Sequence, residues 1–158
     1  MEYRIIHHLL YKHLYKLFDP SFINDSYSCR LENGTHKAVR RLEKFTRIVS
    51  KNYTKECWAL KLDIKKFFSS VDHQILIDLL KKKVKDPDIL WLLGEVIASF
   101  PVGIPLGILT SQVFANIYMN EFDQFIKQTL KVKYYLRYAD DFLILSDDRL
   151  VYHTKLIS

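Results

Sequence analysis

The stretch "YYLRYADDFLILS", residues 134–146, sets two adjacent aspartates between two apolar and aromatic runs. Tyr134, Tyr135, Leu136 and Tyr138 lead in, and Phe142, Leu143, Ile144 and Leu145 lead out. Both flanks carry strand signals, so "ADD" reads as the tight connection of a β-hairpin. Aspartate is at home in turns, and a lone pair carries no chemistry by itself. Asp147-Asp148 is such a pair: it follows a strand and precedes "RLVYH", where an aspartate can cap a helix. Asp140-Asp141 differs because a third carboxylate has a matching setting. Asp63, in "ALKLDIKKFF", also emerges from an apolar strand. Two neighbouring strands bearing carboxylates at one level concentrate negative charge that cannot stay unpaired. Mg²⁺ answers that problem, since it takes oxygen ligands and is held by one or two carboxylates plus substrate phosphates. Two such ions about 3.5–4 Å apart can clamp the attacking and leaving oxygens of a phosphoryl displacement.

The rest of the chain sets the frame. At 158 residues and 49% hydrophobic, it can bury one core, and no repeat, linker or low-complexity tract suggests a boundary. The net charge is +6, unevenly spread: residues 1–60 carry eleven basic and six acidic side chains, the remainder thirteen and twelve. A basic N-terminal third suggests a surface that meets a polyanion, with ordinary solubility charge as the bland account. Cys29 and Cys57 have neither metal-ligand spacing nor a disulfide-rich context. No apolar run approaches ~18 residues and no signal-peptide core opens the chain, so the expectation is a soluble, cytoplasmic protein with no membrane partner.

Apolar spacing predicts a helix over 4–18, stopped at Asp19-Pro20, and a second near 36–50 after Gly34. A strand is expected over 59–64. Ser69-x-x-Asp72 reads as a capping box for a helix over 72–84, and another helical segment spans 87–99. The turn "FPVGIPLG" leads to Thr110 or Ser111 as N-cap of a long helix reaching about Leu130, before the hairpin. The order is that of an α+β fold. Within the second helix, Lys37, Arg40, Arg41, Lys44, Arg47 and Lys51 fall on about a third of the circumference, with Ala38, Val39, Leu42, Phe45 and Val49 on another sector. One face would pack on the core and the other suit a phosphate backbone; a solvated amphipathic face is the competing account.

"YADD" in a hairpin, "LKLDIKKFF" upstream and "GIPLGILTSQVFANIYMNEFD" between them resemble motifs C, A and B of reverse transcriptases, most of all bacterial ones of the group II intron, retron and diversity-generating-retroelement kind. "YSCRLENGTHKAVRRL" and "YRIIHHLLYKHL" resemble segments these enzymes carry before the palm. The resemblance implies a right-hand polymerase palm, an antiparallel sheet backed by helices, with part of the fingers: partial fingers over 1–55 and palm over 56–158, with motifs A (59–68), B (103–116) and C (138–141). It implies RNA-directed DNA polymerisation with two Mg²⁺ ions, for which Mn²⁺ can substitute. Asp63, Asp140 and Asp141 would be catalytic and metal-binding, joined by the carbonyl of Ile64.

The resemblance carries further residues with it. Phe68 stands where the family puts an aromatic ring beneath the sugar, selecting deoxynucleotides; the plain alternative makes Phe67 and Phe68 core residues. Gly107 and Gln112 of motif B and Arg30 before the palm would bind nucleotide. Gly103 and Gly107 both sit in the motif B turn, where the lack of a Cβ permits close backbone approach to a nucleotide or template base. Leu106 stands where many relatives have glutamine, and Glu32 and Asn33 where they have a basic residue. The expected partners are an RNA template, a DNA primer, deoxynucleoside triphosphates and a structured retroelement RNA. The family's leading fingers hairpin and its thumb are not among these residues, so the chain alone is expected to be a feeble polymerase. A non-catalytic nucleic-acid-binding remnant and another palm-type enzyme, such as a nucleotidyl cyclase, are the rival functions.

Overall fold

The computed structural model describes residues 2–31 and 33–149. Two compact units divide the chain, Met1–Phe22 with Lys65–Phe122, and Ile23–Ile64 with Asp123–Ser158.

The first unit is helical. Its α1 (Glu2–Phe18) runs into a 3₁₀ turn at Asp19–Ser21, where Pro20 cannot continue the helix. A short α3 (Phe67–Ser70) precedes α4 (His73–Lys83) and α5 (Pro87–Ala98), and α6 spans Leu109–Gln124. Leu14, Leu76, Leu80, Leu93, Ile97 and Phe114 are among its fully buried side chains. Asp86 caps α5 by accepting from the amides of Asp88 and Ile89, with Pro87 at the first position.

Two expected caps are corrected. Ser69 does not open α4: it lies within α3 and its hydroxyl donates to the Lys66 carbonyl at 3.0 Å. Extended Val71 separates the two helices, and Asp72 is itself the cap, accepting from the Ile75 amide at 2.9 Å. Likewise α6 begins at Leu109, so Thr110 and Ser111 sit inside its first turn instead of capping it. Thr110 pairs with His7 Nδ1 at 2.8 Å, and the Ser111 hydroxyl is buried with no hydrogen-bond partner among the described residues.

The second unit is built on a three-stranded antiparallel sheet of order β1-β3-β2, from β1 (Trp58–Asp63), β2 (Tyr135–Tyr138) and β3 (Asp141–Ser146). The π-helical turn Phe125–Thr129 follows α6 and leads toward β2. Helix α2 (Thr35–Val49) packs Ala38, Phe45 and Val49 with Leu136, Leu145 and Tyr27. Val39, expected in that packing sector, is 57% exposed, because it lies about 100° round the helix from Ala38. Side chains alternate along a strand, so Leu136, Leu143 and Leu145 share one face and Tyr135, Phe142 and Ile144 the other. The backbone of 25–27 extends the β2 edge: the Arg137 amide donates to the Asp25 carbonyl at 2.9 Å, and the Tyr27 amide to the Arg137 carbonyl at 3.0 Å. The helix expected after Asp147-Asp148 lies outside the described residues, as does Glu32.

Candidate active site

The register brings the carboxylates together in the sheet unit. Asp63, at the end of β1, stands directly opposite Asp141, at the start of β3, and Asp141 in turn pairs with Tyr138 of β2. Directly opposite residues project from the same face, so Asp63, Asp141 and Tyr138 line one edge of the face that α2 covers further along. Asp140 occupies the two-residue hairpin turn with Ala139, whose φ of 55° is left-handed. A side chain with a Cβ is strained there, and the usual occupant of such a hairpin position is glycine.

Charge at this edge is partly balanced within the chain. Lys61, two residues before Asp63 on the same face, places Nζ 3.0 Å from Asp141 Oδ1, with the two side chains 68% and 47% exposed. An ion pair so exposed contributes about 0–1 kcal/mol and gives way readily to a stronger cation. Among the described residues no group of three or more His, Cys, Asp or Glu side chains stands ready to hold a metal ion. The donor set nevertheless fits a hard divalent cation, for it is all oxygen: two carboxylates on one face, a third in the adjoining turn and the Ile64 carbonyl one residue beyond Asp63. Mg²⁺ is held in this way, sharing few protein ligands with substrate phosphates and water instead of filling a closed protein cage.

A buried polar group missed by sequence reading lies behind the hairpin. Arg137 and Asp123 are both fully buried and ion-paired at 2.8 Å. Tyr135 donates to Asp123 Oδ1 at 2.5 Å, and burial first, with the Asp123 charge second, pushes its phenol well above the usual range. The available signal was an arginine inside a strand, three residues before a catalytic candidate.

Of the other predicted residues, Arg30 turns its guanidinium back on its own loop, donating to the carbonyls of Ile23 at 2.7 Å and Ser26 at 3.2 Å. On α2, Lys37, Arg40, Lys44 and Arg47 are exposed, Arg47 pairing with Glu43 at 3.2 Å. Arg41 leaves that row: its Nε reaches Asp25 Oδ1 at 2.7 Å and its guanidinium lies 4.4 Å from the Phe45 ring centre. Asp25 and Arg41, with Asn24, Tyr27, Asn33, Lys37, Arg40 and Lys44, line a cleft of about 470 Å³. Burial and the Asp25 charge raise the Tyr27 phenol to about 12. Lys51 lies beyond the helix end in a left-handed turn, φ 49°.

In the helical unit, Phe67 is core while Phe68 is half-buried, edge-on to Phe67 at 5.3 Å between ring centres. Gly107, φ 84°, is open to space, and Gln112 is half-buried. Gly103 meets a need of the fold itself. A Cβ there would lie 2.1 Å from the Phe68 carbonyl oxygen, and the same oxygen accepts from the Ile104 amide at 2.8 Å. His73 Nε2 then holds the Gly103 carbonyl at 2.7 Å. Leu106 is 74% exposed.

Comparison with known proteins identifies the family. The family model described as reverse transcriptase (RNA-dependent DNA polymerase) matches residues 1–157. Protein YkfC of Escherichia coli is 24% identical over 135 residues, 79% of this chain and 35% of its own length. An uncharacterised 91 kDa protein in the cob intron of Schizosaccharomyces pombe is 30% identical over 78% of this chain and 16% of its own. The group II intron-encoded protein LtrA of Lactococcus lactis is 28% identical over 77% and 20%. This chain therefore spans about a third of the first relative and a fifth or less of the other two. Among solved structures, telomerase from Candida albicans, in complex with a fragment of telomeric RNA, aligns over 94% of this chain and 31% of its own, with a TM-score of 0.65 at 14% identity. That similarity is one of fold.

Proposed function

The chain belongs to the reverse transcriptase (RNA-dependent DNA polymerase) family, and from that premise we propose that it provides the palm and part of the fingers of an RNA-directed DNA polymerase. The observation that carries the proposal is the direct pairing of Asp63 with Asp141, with Asp140 in the adjoining turn. In this reading residues 1–55 are partial fingers and 56–158 palm, and the reaction adds deoxynucleotides to a primer 3′-hydroxyl on an RNA template. Similarity to a group II intron-encoded protein favours a structured intron RNA as partner, and the proposed compartment is the cytoplasm. No helix among the described residues is long and apolar enough to cross a membrane.

The chain's own contribution is positional. Asp63, Asp140, Asp141 and the Ile64 carbonyl would hold two divalent cations on the exposed edge of a rigid sheet, where an in-line displacement needs fixed negative ligands. A Mg²⁺ pair there would lower the pKa of the primer hydroxyl and neutralise charge on the triphosphate, with Mn²⁺ as its substitute. Lys61 would release Asp141 to such a cation, since their ion pair is exposed. By the family resemblance Phe68 would exclude a 2′-hydroxyl, and Arg30, Gly107 and Gln112 would contribute to nucleotide binding; by the periodicity of α2, its exposed cations would meet the nucleic-acid backbone. The test is primer extension on an RNA template by the protein containing this chain. Asp63→Ala and Asp140→Ala are each expected to abolish Mg²⁺-dependent deoxynucleotide addition while unfolding stays cooperative. Near-normal extension by either variant would sink the assignment.

A further inference from the structure

We infer that Arg137 and Asp123 form a positioning pair that fixes the Ala139-Asp140 turn, and through it the cation affinity of the carboxylate edge. The inference rests on the proposed role of Asp140 as a metal ligand. Arg137 belongs to β2 and its side chain points to the face opposite Tyr138 and Asp141, so it does not touch the reacting groups. What it touches is the turn itself. Nη1 donates to the Ala139 carbonyl at 2.8 Å, the carbonyl of the peptide bond that enters Asp140. The rest of the guanidinium is anchored. Nε reaches both oxygens of Asp123 at 2.9 and 3.0 Å, and Nη2 reaches Asp123 Oδ2 at 2.8 Å and Ser26 Oγ at 3.1 Å. The Arg137 backbone is pinned to Asp25 and Tyr27 on the outer side of β2.

Two features separate this from a core ion pair that only fills space. Buried pairs can often be replaced by packed apolar residues without loss of stability, so burial alone gives no reason for an arginine. A planar guanidinium, however, can hold a carboxylate with one side and a backbone carbonyl with another, which no apolar side chain and no ammonium reproduces. Ala139 has the left-handed conformation that a Cβ disfavours, and such strain persists only where the surroundings over-determine it. The restraint is the charge-assisted bond from Nη1, anchored behind by Asp123.

The experiment compares the wild-type chain with Arg137→Lys, Asp123→Asn, Asp140→Asn and the double variant Arg137→Lys/Ala139→Gly, each first shown to melt cooperatively. Amide hydrogen exchange at Asp140 and Asp141, without metal, reads the turn; Mn²⁺ titration, followed by the electron paramagnetic resonance signal of the free ion, reads the site. Arg137→Lys and Asp123→Asn are each expected to speed turn exchange and weaken Mn²⁺ binding by about tenfold, the size of a lost charge-assisted hydrogen bond. Exchange at Leu145, deep in β3, stays slow. Ala139→Gly, which removes the strain, is expected to recover most of the Mn²⁺ affinity lost in Arg137→Lys. Unchanged turn exchange in both single variants overturns the inference, and so does faster exchange with unaltered Mn²⁺ affinity. Equal Mn²⁺ binding by wild type and Asp140→Asn instead overturns the metal reading on which it rests, a failure visible independently of the exchange result.

Discussion

At the scale of single residues, the carboxylate edge is supported from behind by Arg137, which donates to the Ala139 carbonyl at 2.8 Å and is itself held by Asp123. Asp63 and Asp140-Asp141 stand out because acidic side chains interrupt apolar strands, a contradiction that local sequence displays. Arg137 and Asp123 meet only after β2 folds back beside the end of α6, so neither advertises the other. Gly103 shows the same limit: its neighbour is the Phe68 backbone, far from it in sequence. Gly103→Ala must both hold a left-handed φ of 59° and place a Cβ 2.1 Å from a backbone oxygen, so it is expected to cost more than the ~1 kcal/mol of an ordinary glycine substitution. Urea unfolding measures this, and a loss under about 0.5 kcal/mol would show that the loop moves freely. Phe68→Val is expected to raise the ratio of ribo- to deoxynucleotide incorporation by the intact enzyme, since Phe68 is only half-buried while Phe67 fills the core. An unchanged ratio would make Phe68 a packing residue and place sugar discrimination elsewhere.

Elements were read more securely than their ends. Apolar periodicity placed α1, α2, α4 and α5 within a few residues, because each repeats its signal over several turns, whereas α6, expected to reach about Leu130, gives way after Gln124 to the π-helical turn. Caps depend on single dihedrals. The capping-box motif at Ser69 fails because extended Val71 breaks the helix before Asp72, and α6 starts one residue before the expected Thr110. Thr110 is thereby available to join α6 to α1 through His7. Burial lowers the His7 pKa from its ordinary 6.5, so the fold favours the neutral ring. Below 6.5 the unfolded chain takes up a proton that the folded one resists, and the folded state loses ground until its own lower pKa is passed. Stability from this contact is thus fully present above 6.5 and declines as the pH falls through and below it. Urea midpoints at about pH 7.5 and about pH 5.5 should fall less in His7→Gln than in wild type, because glutamine keeps a hydrogen-bonding side chain without titrating. Equal falls in the two proteins would show that His7 is not the titrating contact.

For the molecule as a whole, the sequence order conceals how the units form: the chain leaves the sheet unit after Ile64 and returns to it at Asp123, with helical structure between. The antiparallel pairing of β1 with β3, from Trp58 opposite Ser146 to Asp63 opposite Asp141, closes that excursion, and no local pattern encodes contacts so distant in sequence. Charge, being additive, is simpler to read. The net +6 comes almost wholly from residues 1–60, and in the sheet unit exposed Lys37, Arg40 and Lys44 form a row along α2 beside the polar cleft near Asn24 and Asn33. Arg41 is withdrawn to Asp25 and serves the fold, so it is the wrong residue to neutralise in a binding test. Among the described residues Arg47 is held by an exposed pair with Glu43, worth little, and remains available to a stronger anion. Arg40→Gln/Lys44→Gln/Arg47→Gln should therefore weaken RNA and duplex binding evenly across sequences while thermal unfolding is nearly unchanged. Each lost phosphate contact removes about 0.9 from the slope of log affinity against log salt on duplex DNA and about 0.7 on single strands, because fewer counterions are released. Three full contacts would lower the slope by up to about 2.7 on duplex, and partial contacts by less. Filter binding over a salt series distinguishes the cases: a shallower slope places the phosphate backbone on α2, whereas parallel lines for the two proteins would make the row a solvated helix face and move the nucleic-acid path elsewhere.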